Sequence, residues 1–211
     1  MYLSHLGLTN FRNFPLLELD LPEGVVVLFG GNAQGKSSLV EAIYLLCIAR
    51  SFRADNDYEL VNWDTAAEDG ETLVGGTFER LNDRLRVYVG YRCVPPTTTL
   101  GQDQGNAKPF GVRRQIRVSR MRRTAAELVG LVNAVLFTAD DIDLVQGPPS
   151  VRRRFLDILI SQADPPYLKT LQRYQRVLQQ RNRLLKALQD RSAEHQELVF
   201  WDEELVKEGA W

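Results

Sequence analysis

Charge imbalance is the first thing missing from this chain. Its 26 lysines and arginines nearly cancel 27 aspartates and glutamates, for a formal net charge of −1. A whole-molecule pull on nucleic acid is excluded, so any basic surface must be local. Cysteine is scarce as well, with only Cys47 and Cys93. Cys47 stands in an apolar run and reads as a buried thiol, not as half of a disulfide. The two histidines, His5 and His195, lie far apart, and no metal-ligand spacing occurs. No apolar run approaches the ~20 residues of a membrane span. The opening MYLSHLGLTN lacks the charged leader and apolar stretch of a signal peptide. These absences predict a soluble, cytoplasmic protein with reduced thiols and no membrane partner.

What is present is a core-forming composition: 211 residues, 44% of them hydrophobic, enough for one domain or one and a half. Leu3–Leu8, Leu16–Leu21 and Val25–Phe29 read as three strands separated by Asn, Pro and Gly. The third is continuously apolar, as a strand buried on both faces should be. Ser37–Ala49 is apolar nearly all round and reads as a helix buried against a sheet. Thr72–Phe78 and Arg84–Tyr91 alternate like a hairpin, Pro95–Phe110 is a breaker-rich loop, and Gln115–Val118 is a further strand candidate. Thr124 and Glu127 have capping-box spacing ahead of a short helix. Asn133–Phe137 reads as another buried strand. Beyond Pro148 strands stop: Ser150 can cap one helix, and a longer one runs from Tyr167 to about Asp190. The division expected is 1–147, mixed α/β, and 148–211, all-helical. The chain ends at Trp211 within a helical pattern, as though it were part of something longer.

Gly30-Gly31-Asn32-Ala33-Gln34-Gly35-Lys36-Ser37 matches G-x-x-x-x-G-K-[ST] in full. A polyphosphate must be wrapped by inward-pointing backbone N–H groups, and the glycines permit the angles and close approach this needs. The following helix N-terminus adds partial positive charge. Lys36 is a point charge for the β- and γ-phosphates, and the Ser37 hydroxyl suits Mg²⁺. The pattern predicts ATP and Mg²⁺ as cofactors, held by residues 30–37 with Ser38 beside them. A second acidic site is less evident: Asp140-Asp141 come two residues after the apolar run 133–137. They read as a second acidic site, as a loop entering the nucleotide pocket, or as acids at a surface helix N-terminus.

Arg113, Arg114, Arg117, Arg120, Arg122 and Arg123 fall close together with no acid among them. They form a local cationic patch suited either to phosphate contacts or to a solvated hairpin face. No Phe/Tyr ladder is interleaved with them, so base stacking is not visible in the sequence. Arg152-Arg153-Arg154 has acids nearby and reads as helix or lobe contacts.

Several stretches together resemble the RecF proteins, relatives of the SMC and ABC-type ATPase heads. They are Phe11-Arg12-Asn13-Phe14, the P-loop with Gln34, Glu41-Ala42-Ile43-Tyr44 and Ser51-Phe52-Arg53, followed by Leu136-Phe137 with Asp140-Asp141, Gly147 to Asp157, and Tyr174 to Asn182. The departures are Ser37 for the usual Thr, Ser38 for Asn, Ala139 for Pro, and Ser119-Arg120 where an Asn-Gly turn is common. The resemblance implies an α/β ABC/SMC-type head, a mixed sheet around a P-loop helix, followed by an all-helical lobe. It implies that Arg12 and Asn13 lie beside the nucleotide. It also implies DNA gap repair and replication restart, damage-response induction, RecO and RecR partners, and an ATP-sandwiched homodimer. The signature motif and Walker B acids would lie beyond Trp211, so hydrolysis by these residues alone should be weak or absent. A small-molecule phosphotransferase and a non-catalytic scaffold are the competing readings.

Overall fold

A computed structural model describes residues 1–62, 70–94, 111–189 and 195–210. The expected loop Pro95–Phe110 lies outside them. The chain divides into two compact units, Met1–Leu128 and Val129–Trp211.

The first unit is built on six strands: β1 Tyr2–Phe11, β2 Phe14–Asp20, β3 Glu71–Glu79, β4 Arg84–Val94, β5 Gly111–Val118 and β6 Met121–Arg123. Their order is β2-β1-β3-β4-β5-β6, and among these described strands every pairing is antiparallel. Alternation sorts the side chains: Leu6, Leu8, Val74, Phe78, Val87, Val89, Ile116 and Val118 point inward and are buried. Helix α1, Lys36–Ile48, covers that face. Its Leu46 lies so near β3 that a Cβ on Gly76 would stand 2.5 Å from Leu46 Cδ1. The Cys47 thiol is buried and outside any disulfide, as the sequence led us to expect, and burial pushes its pKa up to about 12.

Two expected strands are not strands. Val25–Phe29 carries no ladder, and Val25 and Phe29 are each 92% exposed. Asn133–Phe137, in the second unit, is also unpaired, with Phe137 83% exposed. The apolar pattern is strand-like, but a strand needs a neighbour for its N–H and C=O groups. Among the described strands none pairs with either run.

The capping box at Thr124 forms: Glu127 accepts from the Thr124 amide at 2.7 Å and begins α2, Ala125–Leu128. The second unit holds α3 Asp143–Gln146, α4 Pro149–Ala163, α5 Pro165–Gln189 and α6 His195–Gly209. Helix α4 starts one residue before Ser150, with Pro149 in its first turn and Pro148 at the cap position. Its Arg152 donates to the carbonyls of Leu144 and Gly147, closing the turn from α3. Helices α5 and α6 are joined by the Arg181–Asp202 ion pair.

Candidate nucleotide site and basic sheet face

Residues 30–34 form an exposed loop that enters α1 at Lys36. Ala33 (φ 61°) and Gly35 (φ 93°) are both left-handed, turning the chain into the helix. Gly35 is sterically required: a Cβ there would sit 2.5 Å from Phe14 Cζ and 2.7 Å from Asn13 Nδ2. The same contacts place the Asn13-Phe14 turn directly against the loop. Lys36 folds back over it, with Nζ donating to the carbonyls of Gly30 (2.9 Å) and Gly31 (2.5 Å). The Ser37 hydroxyl is exposed at the first turn, whereas Ser38 is buried. Ser37 thus faces outward at the loop and Ser38 faces the core.

Arg12 lies behind this loop in a left-handed conformation (φ 54°). Its amide donates to Leu60, its carbonyl accepts from Asn62 Nδ2, and its guanidinium forks onto Glu41. The two bonds are Nε to Oε2 at 3.0 Å and Nη2 to Oε1 at 2.7 Å. Glu41 is fully buried. Ser51 also donates to Glu41, while its oxygen receives the amides of Arg53 and Ala54. A buried carboxylate this well paired avoids the desolvation penalty of an isolated charge. The sequence reading did not make Glu41 a site residue. The available signal was one carboxylate among the apolar positions of α1.

The arginine cluster divides by strand parity. Arg114 shares the inward face with Ile116 and Val118; it donates to Ala49 O at 2.7 Å, at the end of α1, and lies 3.8 Å from Asp57. Beside it the buried Tyr91 hydroxyl makes no hydrogen bond among the described residues. Burial raises the Tyr91 pKa and Asp57 adds to this; Arg114 is close enough to oppose the shift without meeting hydrogen-bond geometry. Arg123 pairs with Glu127 at 3.4 Å. Arg113, Arg117, Arg120 and Arg122 are exposed. On the outer face of β1 and β2, His5 joins Asp20 and Glu18, each at 2.7 Å.

In the second unit, Asp141 caps its own turn by accepting from the Thr138 amide and hydroxyl, and Asp140 is exposed. Asp141 thus serves as a helix-terminus acid. Among the described residues no cluster of three or more His, Cys, Asp or Glu could hold a metal ion, and no helix is long and apolar enough to cross a membrane.

A G-x-x-x-x-G-K-S loop opening a helix laid on a sheet defines a class, and comparison agrees. The chain belongs to the AAA domain family, whose profile matches residues 5–205. The particular protein it resembles is RecF, and the resemblance drawn from the motifs extends over the whole chain. It is 39% identical to the DNA replication and repair protein RecF of Chloroflexus aurantiacus and 42% identical to that of Roseiflexus castenholzii. Each match covers 100% of this chain and 54% of the relative. A solved structure of the recombination mediator protein RecF-ATP in the RecFOR pathway superposes with a TM-score of 0.81 at 32% identity. A second, of RecF-ATPrS, gives 0.83; each superposition covers 99% of this chain and 51% of the solved one. The chain spans about half the length of the relatives it matches.

Proposed function

We propose that this chain binds ATP·Mg²⁺ through Gly30–Ser37 and serves as the nucleotide-binding part of a RecF-like DNA replication and repair protein. The observation that carries this reading is Lys36 poised over the loop carbonyls at the N-terminus of α1. A triphosphate entering there meets an ammonium, a helix N-terminus and glycine backbone together. Ser37 supplies a hydroxyl to Mg²⁺, and Ser38 supports the turn from within. When bound, Mg²⁺ neutralises phosphate charge. Arg12 keeps N–H donors beyond those given to Glu41, and Asn13 packs on Gly35, so both stand as nucleotide contacts.

The wider role we propose extends that reading: ATP-gated homodimerisation, a grip on gapped or junction DNA, cooperation with RecO- and RecR-type proteins, and induction of the damage response in the cytoplasm; the likeness to RecF supports its DNA replication and repair setting. DNA contact falls to the exposed Arg113, Arg117, Arg120 and Arg122. Residues 148–211 act as a helical lobe. The test is calorimetric titration of the 211-residue chain with ATP and Mg²⁺. Saturable binding that Lys36→Ala abolishes supports the site; equal heats for both proteins overturn it. Hydrolysis by this chain alone, lost in Lys36→Ala, would refute its expected catalytic silence.

A further inference from the structure

The outer face of the sheet carries a feature that the linear sequence hides. Register places Gly75, Tyr88, Arg117 and Arg122 side by side across β3, β4, β5 and β6. A second rung aligns Leu73, Gly90 and Gln115, and a third Glu71, Arg92 and Arg113. Arg86, two residues before Tyr88, shares this face. Gly75 has no side chain, and the Tyr88 ring lies down over it: a Cβ there would be 3.0 Å from Tyr88 Cδ1 and Cε1. Beside the ring is an open depression of about 390 Å³. Leu73, Tyr88 and Gly90 line it, with Arg92, Arg117 and Arg120 around it. Glu71, 3.9 Å from Arg92, and Gln115 also border it and bring polar groups that a base edge can use.

We propose that this depression is a single-stranded nucleic-acid platform, with a base stacked on Tyr88 and the flanking phosphates held by Arg86, Arg92, Arg113, Arg117, Arg120 and Arg122. The physical ground is the conjunction of an apolar, aromatic floor with a cationic rim. A stacked base needs the first, a phosphodiester backbone needs the second, and sequence-independent strand binders combine both. A duplex, with its bases stacked inward, has no use for the floor. The inference rests on the proposed role at DNA and adds the place on the sheet and the residues that hold the strand.

Fluorescence polarisation of the 211-residue chain with labelled oligo(dT), and with a duplex of equal length, tests this. Tyr88→Ala should weaken oligo(dT) binding about tenfold, the loss of one stacked base, and leave duplex binding unchanged. Tyr88→Phe should bind oligo(dT) like wild type, which separates stacking from folding. Arg117→Ala with Arg120→Ala should flatten the log–log salt slope by about 1.4. Unchanged oligo(dT) affinity in Tyr88→Ala, an equal loss on duplex, or equally good competition by poly-glutamate overturns the platform. If wild type binds DNA and none of these variants matters, this face is wrong and the wider reading stands. If wild type binds neither probe at low salt, both fall.

Discussion

At the residue scale the most consequential group is Glu41, a carboxylate with no exposed surface among apolar neighbours. Glu41→Ala leaves the Arg12 guanidinium without its fork and Ser51 without its acceptor. A loss of about 3 kcal/mol is expected, measurable by denaturant unfolding, and replacing Arg12 as well should recover part of it. His5 sets a pH dependence. The hydrogen bond that His5 donates to Asp20 raises its pKa, partial desolvation opposes this, and the bond to Glu18 adds to the rise. A pKa raised on folding gives stability that is full below about 6.5, the ordinary value, and is lost as pH rises through the folded value. Wild type should therefore melt at a higher temperature at pH 5.5 than at pH 8. His5→Gln should narrow that difference, and an unchanged difference would assign the effect elsewhere.

At the element scale the hairpin turn between β5 and β6 is strained. Ser119 (φ 46°) and Arg120 (φ 74°) are both left-handed between paired Val118 and Met121, a geometry that favours Asn-Gly. Replacing them with Asn-Gly should stabilise the first unit by about 1 kcal/mol, visible as a raised melting temperature. It would also remove one rim arginine. Elements were legible in the sequence where a local cause sufficed. Strands β1 to β4 follow from alternation and breakers, α1 from its all-round apolar surface after a glycine loop, and α2 from Thr124 and Glu127. Val25–Phe29 and Asn133–Phe137 were misread because pairing is a property of two segments and hydropathy reports on one. The short β6 was missed because three residues give no period. The Ser119-Arg120 turn lacks a glycine, so only the resemblance, with its Asn-Gly at that place, marked it.

At the scale of the whole molecule, the chain's near-neutral charge conceals a segregation that only the sheet register reveals. Arg86 and Arg92 come from β4, and Arg113, Arg117 and Arg122 from β5 and β6, so one face gathers cations that the sequence disperses. The glycine loop turning into α1 was legible, because its residues are contiguous; the Arg12–Glu41–Ser51 cluster was not, because its members converge from three segments. Saturating ATP·Mg²⁺ should raise the melting temperature, since a ligand at a hundredfold its Kd adds about 2.7 kcal/mol. Gly35→Ala should lose that shift, having no room beside Phe14 and Asn13. The lysine folded over Gly30 and Gly31 has a consequence for selectivity. Entry is a swap, because the newcomer must draw the ammonium away from two carbonyls that already satisfy it. On the proposed nucleotide reading, a long anionic tail offers enough to make that trade and a nucleoside or monophosphate does not, so discrimination by tail length precedes any reading of the base.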